Sequence, residues 1–315
     1  MLDFASALDH ASDMATEDVD PRFTDLDAWP FASVIEAMWD GQLSAVAAVR
    51  AALPAITAAA EAAAAALGET GRLVYVGAGT SGRVAVQDGA ELTPTFNFPS
   101  ERLVFLMAGG LQALVASVEG AEDDAAEGLR QIEAVQLLAS DVVIGVAASG
   151  TTPFTLAAIQ RATALGAVTI GIANNAGAPL LAVARFPILI ETGSELIAGS
   201  TRMKAGTAQK TVLNLISTGI MLKQGRIYRG MMVNMRPANS KLQRRAEQMV
   251  AHLAGCVPDR AIKALGQAKG DIKLATLLAL GQSLDHALVL LQQHGGNLRQ
   301  ALTASKTAAI KTGSP

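Results

Sequence analysis

The sequence predicts an α/β protein: a parallel β-sheet flanked by helices, with N-terminal helices before it and a small C-terminal three-helix bundle after it. Three observations lead there. Half of the 315 residues are hydrophobic and only 17% are charged, which is enough apolar surface for a large core. Five apolar runs of four or five residues alternate with helical stretches. These runs are continuous instead of alternating, as expected of strands covered on both faces by helices.

Taken in order, residues 1–30 are polar and carry Asp20-Pro21 and Trp29-Pro30, so an irregular arm is expected. From Phe31 to Leu67, apolar residues recur at threes and fours (Ile35, Met38, Trp39, Leu43, Val46, Val49), which predicts a long helix. The runs at Leu73–Val76, Leu103–Met107, Val142–Val146, Val168–Ile172 and Phe186–Ile190 predict the strands. Pro187 has no amide hydrogen to give a ladder, so the last strand belongs at an edge. A helix is expected over Ser200–Lys223. After Val257-Pro258-Asp259, three short amphipathic helices to Ala304 predict a small bundle (257–304), and residues 305–315 read as a tail.

Composition excludes several functions. A net charge of −3 and 4% aromatic residues leave neither an electrostatic footprint nor a stacking platform for nucleic acid. Cys256 is the sole cysteine and the four histidines are scattered, so no metal site and no disulfide framework is expected. The longest uncharged stretch, Ala162–Ala184, holds Asn174, Asn175 and Pro179, which argues for protein core and against a membrane span. The N-terminus is acidic, with no basic segment of a signal peptide, so a cytoplasmic protein is expected.

Two loops carry the candidate chemistry. The first strand runs into Gly77-Ala-Gly79-Thr80-Ser81-Gly82-Arg83, a literal G-x-G-x-x-G. A dinucleotide site would need an acidic residue ending the second strand; Leu103–Met107 ends in Ala-Gly-Gly instead. Thr80, Ser81 and Gly82 suit a single phosphate at a helix N-terminus, and a tight turn with a hydroxyl cap is the bland reading. The third strand repeats the device with Ser149-Gly150-Thr151-Thr152-Pro153. Two such loops at strand carboxyl ends predict a sugar-phosphate pocket.

These loops resemble those of a sugar isomerase (SIS) domain, which residues 31–250 would form with flanking helices. Three further stretches narrow the resemblance: Ala90-Glu91-Leu-Thr-Pro94-Thr-Phe96, Glu119-Gly-Ala-Glu122-Asp123, and Gly199-Ser-Thr-Arg202-Met-Lys204-Ala-Gly206-Thr-Ala-Gln209-Lys210. Together they are similar to the N-acetylmuramic acid 6-phosphate etherase family, over nearly the whole chain. Where that family often has Thr-Glu-x-Arg-Asn-Pro, this chain has Thr16-Glu17-Asp18-Val19-Asp20-Pro21. Leu92-Thr93 stands where other members can have Cys-Pro.

The resemblance implies a lyase of amino-sugar recycling that needs no cofactor, with Glu91 and Glu122 as its acid/base pair: Glu122 the base at carbon 2, Glu91 the acid for departing lactate. Glu195, Arg202 and Lys204 join the loop residues as substrate contacts, with Arg83 a further cation for the lactyl carboxylate. Read as residues alone, Glu119–Asp124 is an acidic helix start, and Arg202 and Lys204 are a solvated helix face. Alternatives on the same fold are a sugar-phosphate isomerase and a non-enzymatic sugar-phosphate sensor. A homodimer is expected, because a straight helix from Gly82 to Glu91 would hold that carboxylate far from a phosphate in its own chain's loop.

Overall fold

The computed structural model of the chain describes residues 15–311. Methionine 1 to residue 14, including His10, and residues 312–315 lie outside the described residues, and with them the start of the expected arm and the end of the expected tail. The chain divides into two compact units, one of residues 1–90 and 101–219, the other of residues 91–100 and 220–315.

The first unit holds the sheet. Strands β1 (Leu73–Gly77), β2 (Leu103–Met107), β3 (Val142–Val146), β4 (Val168–Ala173) and β5 (Phe186–Leu189) are parallel in the order β2-β1-β3-β4-β5. Every residue of β1, β3 and β4 is buried, which explains their uninterrupted apolar sequences. β5 is an edge strand with Pro187 exposed, as its missing amide requires. Registry is flush at the carboxyl ends: Gly77 pairs with both Met107 and Val146, and Val146 with Ile172. The chain leaves β1 toward β2 and returns to β3 on the other side of β1, so the crevice beyond β1 and β3 is the topological switch point.

Helix α1 (Phe31–Leu67) buries Gly41, Ala45, Val49, Ala52, Ile56, Ala59 and Ala63 and packs on β3, β4 and β5. By length and composition it is also apolar enough to cross a membrane, with about a third of its most apolar stretch buried in the structure. Its other side leaves Phe31, Ile35, Trp39, Leu43 and Val46 exposed. Helices α2 (Gly79–Ala90), α4 (Ala125–Ala134), α5 (Pro153–Ala164) and α6 (Pro179–Val183) follow β1, β2, β3 and β4. At the sheet's amino end, buried Asp141 accepts from Arg72 at 2.6 Å and from the Leu138 and Arg72 amides, which ties β3 to β1.

Helix α7 covers Lys204–Lys223, four residues shorter at its start than the sequence expectation. The reason is tertiary. The Glu195 carboxylate accepts from the Lys204 and Ala205 amides, both at 2.9 Å, and so fixes the first turn there.

In the second unit, α3 (Leu92–Phe96) opens at Glu91 and ends at left-handed Asn97. The Arg226 guanidinium donates to the Phe96 and Asn97 carbonyls at 3.1 and 2.8 Å and stacks 5.3 Å from the Phe98 ring, holding segment 91–100 in this unit. Helices α8 (Ser240–Ala254), α9 (Pro258–Gln267) and α10 (Ile272–Ala279) pack on one another, and α11 (Leu284–Gln293) and α12 (Leu298–Lys311) complete it. The stretch between Gly270 and His294, which reads as one helix, is two. Gly281 turns at φ 96° and the Ser283 hydroxyl caps the His286 amide. The expected tail continues α12 as far as Lys311.

Candidate active site

The first loop is built by close packing. A Cβ on Gly77 would lie 2.8 Å from the Gly82 backbone, and one on Gly82 would lie 2.8 Å from Gly77 and 2.4 Å from Met107 Sδ. Glycine at both positions lets α2 start directly against the end of β1, with Gly79 at φ 51° between them. Ser81 and Gly82 are buried in that first turn and Thr80 is half-buried. A pocket of about 120 Å³ opens beside it, lined by Ala78, Gly79, Arg83, Glu119 and Glu122 among others. Arg83 donates from Nε and Nη2 to the Ala113 and Ala116 carbonyls at 2.9 and 3.2 Å. It thereby pins the segment that leads into the acidic turn. Glu122 is exposed in that turn, one residue before Asp123, and Asp124 caps the Glu127 amide at 2.9 Å. The acidic cluster therefore contains both a helix cap and a carboxylate facing a pocket.

The second loop is a hydroxyl turn: Ser149 Oγ accepts from the Thr151 amide and hydroxyl at 3.2 and 3.0 Å. Gly150, at φ 70°, is packed against Ala178, where a Cβ would come within 2.4 Å. Thr151 is exposed, and Thr152 precedes α5 without a side-chain cap bond. Neither the Thr151 nor the Thr152 hydroxyl is needed to start the helix.

The loop's support was not visible in the sequence. Asn175 Nδ2 donates to the Ala148 carbonyl and to Thr16 Oγ1, both at 3.0 Å, and its Oδ1 accepts from the Thr16 amide at 3.3 Å. Thr16 is fully buried, and its carbonyl accepts from the Gly199 amide at 3.0 Å. The arm thus joins the second loop to the Gly-Ser-Thr-Arg stretch. Gln209 on α7 donates to Asn174 at 2.9 Å. The only signal for these residues is a pair of asparagines in an otherwise apolar run.

The Gly-Ser-Thr-Arg stretch reaches the first loop too: a Cβ on Gly206 would lie 3.2 Å from Thr80 Cγ2. Glu195 is completely buried with both oxygens on the α7 amides, and Lys204 donates to the Ser194 carbonyl at 2.9 Å. Burial holds the Lys204 amine below the ordinary lysine range, against the attraction of Glu195. Arg202 is exposed in the turn before α7. Glu91 is exposed at the start of α3, in the second unit.

A further buried carboxylate lies on α2. Asp88 accepts from Tyr75 Oη, Asn214 Nδ2 and Ser217 Oγ at 3.0, 2.6 and 3.0 Å, which clamps α2 between β1 and α7. Burial raises its pKa above the ordinary range, and the three hydrogen bonds offset only part of that rise.

Two hydroxyl-glycine turns at the switch point of a five-stranded parallel sheet are the arrangement expected of a sugar isomerase (SIS) domain. A family model described as the glucokinase regulatory protein N-terminal SIS domain matches residues 55–163. Over 288 residues the chain is 50% identical to the N-acetylmuramic acid 6-phosphate etherase of Deinococcus radiodurans, spanning 91% of this chain and 94% of that one. Proteins of the same name from Halalkalibacterium halodurans and Erwinia tasmaniensis are 41% and 43% identical over 92% of this chain, covering 97% and 95% of theirs. The chain belongs to the N-acetylmuramic acid 6-phosphate etherase family. Among solved structures, a phosphoheptose isomerase from Francisella tularensis aligns with TM-score 0.47 at 20% identity, over 62% of this chain and all of that one.

Proposed function

We infer that the chain is a carbon–oxygen lyase that opens the D-lactyl ether of N-acetylmuramic acid 6-phosphate, giving N-acetylglucosamine 6-phosphate and D-lactate. The observation that carries this reading is kinship along nearly the full length of etherases, 91% of this chain against 94% of the D. radiodurans relative. The chemistry of the pocket agrees with it. In the open-chain sugar, carbon 2 is acidic beside the aldehyde and carbon 3 bears the ether oxygen. Glu122 takes the carbon-2 proton, the carbon 3–oxygen bond breaks, and a carboxylic acid protonates the departing lactate. Water then adds across the double bond, returning a hydroxyl to carbon 3 and a proton to carbon 2. Each assisted proton transfer contributes roughly 10²–10⁴-fold. The Ser81 and Ser149 turns take the 6-phosphate, and Arg83, Arg202 or Lys204 takes the lactyl carboxylate.

Glu91 is the acid in this scheme, and it acts in the pocket of a second copy. From Gly82 in the first turn of α2 to Glu91 are nine helical steps, about 13 Å. Carbon 3 lies only a few bonds from the 6-phosphate, which favours a Glu91 lent by a second copy. The exposed apolar stripe Phe31, Ile35, Trp39, Leu43 and Val46 of α1 offers the surface for a homodimer. The protein works in the cytoplasm, where a charged sugar phosphate is retained because it does not cross a bilayer.

The test is incubation with N-acetylmuramic acid 6-phosphate and assay of D-lactate; an isomerase or a sensor releases none. In D₂O the product carries deuterium at carbon 2. Glu91→Gln and Glu122→Gln are each inactive while folded, and verified mixed dimers of the two regain activity in the one pocket with both carboxylates. Mixed dimers that stay inactive overturn the shared site and leave the lyase reading to the lactate assay.

A further inference from the structure

Charge is divided unevenly along this chain. Residues 220–315 carry fourteen Lys and Arg against four Asp and Glu, whereas the preceding 219 residues carry eleven against twenty-four. The near-neutral total therefore hides a basic second unit, of the kind that recruits anions.

Within that unit is a pocket of about 300 Å³, lined by Leu222, Ile227, Tyr228, Arg229, Leu298 and Arg299 among others. Two turns build it. Tyr228 and Met231 exchange both amide–carbonyl bonds, at 3.0 and 2.9 Å, across Arg229-Gly230, whose φ values of 48° and 73° make a tight hairpin turn. An arginine with positive φ is uncommon, and here it carries its guanidinium to the pocket rim. Opposite, Gly295 and Gly296 end α11 at φ 55° and 70°, and Asn297 caps the Gln300 amide at 3.2 Å, which brings in Arg299. Arg229 and Arg299, seventy residues apart, place their guanidinium carbons 5.5 and 5.0 Å from the centroid of the same Tyr228 ring. The ring attracts each cation but does nothing for their mutual repulsion. Among the described residues neither guanidinium has an ion-pair or hydrogen-bond partner.

We propose that this pocket binds a phosphate monoester, at a site separate from the catalytic pocket. Two guanidinium forks lining one pocket suit phosphate oxygens, and both side chains are exposed and free to close on them. Leu222, Ile227, Leu298 and the Tyr228 ring supply apolar walls for the group that carries the phosphate. The volume is at the lower end for small-molecule sites, the size of a monosaccharide phosphate and too small for a dinucleotide.

The chain has two tyrosines, and Tyr75 is fully buried in the first unit, so 3-fluorotyrosine labelling gives a two-signal ¹⁹F spectrum. Tyr228→Phe assigns the reporter. Titration with N-acetylglucosamine 6-phosphate is expected to move the Tyr228 signal saturably, while N-acetylglucosamine leaves it in place. The Arg229→Gln/Arg299→Gln variant, altered only at exposed side chains, weakens the response at least about tenfold. Ser81→Ala/Ser149→Ala, which damages the catalytic cradle, keeps it. The proposal is overturned if the signal stays still, follows the unphosphorylated sugar equally, survives the arginine changes, or vanishes with the serine changes.

Discussion

Substituting Glu195 by glutamine separates two roles for this residue, a cap for α7 and a contact for substrate. Its two oxygens each accept one backbone amide at 2.9 Å, and the side chain is completely buried. Glutamine keeps the volume but has one acceptor oxygen; its NH₂ then faces the second amide, donor against donor. Losing one charge-assisted bond costs about 1.5–3 kcal/mol. Removing the negative charge from the start of a 20-residue helix adds about 0.3–1 kcal/mol. The sum, about 2–4 kcal/mol, is a large part of the ~5–15 kcal/mol that holds a typical protein folded. Urea denaturation followed by circular dichroism is expected to show the midpoint falling with the slope unchanged. Glu195→Ala, which leaves both amides unpaired, falls further. A loss below about 0.5 kcal/mol, the ordinary scatter of surface substitutions, refutes the capping argument. If lactate release then shows KM rising in a protein of unchanged stability, Glu195 contacts substrate instead.

Gly82→Ala forces a Cβ to within 2.8 Å of the Gly77 backbone, and is expected to destabilise by about 1–3 kcal/mol and to weaken substrate binding by displacing the loop; wild-type KM and midpoint would show that the loop yields freely. Ser81→Ala and Ser149→Ala raise KM more than they lower kcat, because the phosphate is held alike in substrate and transition state, and an effect on kcat alone contradicts this. Asp88 gives the pH prediction. Its folded pKa is raised, so the folded chain binds more protons than the unfolded one, and stability falls as pH climbs from the ordinary aspartate range through the raised value. Asp88→Asn removes that slope; denaturation midpoints measured across this range that run parallel in both proteins overturn it. Asp141 has the opposite sign. Burial opposes its ionisation, but the bonds from Arg72 and Leu138 outweigh it and hold the carboxyl below the usual range, so its contribution is lost as pH falls through that lowered value and Asp141→Asn flattens the acid limb.

What was legible in the sequence is what depends on neighbours along the chain. The strands announced themselves because a strand buried on both faces has no polar side to write, and their sequence limits match the structure to within a residue. The two loops were legible because glycine and hydroxyl residues at a strand's end are demanded locally: Gly77 and Gly82 by a close approach of backbones, Ser149 by a turn bond two residues on. The start of α7 is not legible locally, because its cap, Glu195, comes from nine residues upstream of the first helical residue. The break between α10 and α11 is local, in Gly281 and Ser283, but apolar periodicity continues on both sides and masks it. Glu122 had no local signature beyond an acidic turn; family resemblance singled it out.

The supports of the site are non-local for a physical reason. A crevice at the switch point opens between β1 and β3, so its walls arrive from segments that the sheet order brings together late in the chain. Asn175 is 159 residues from Thr16, yet it binds both Thr16 and the Ala148 carbonyl that precedes Ser149. Each of these groups alone is a polar atom in an apolar setting, costly to bury unless paired. Together they are satisfied, and the pairing fixes the arm, the Ser149 turn and Gly199 relative to one another. Periodicity reports which face of an element is buried; it is silent on which buried polar group finds which partner. The rigid half of the site was therefore visible in sequence as loops, while the bonds that hold those loops in place required the folded chain.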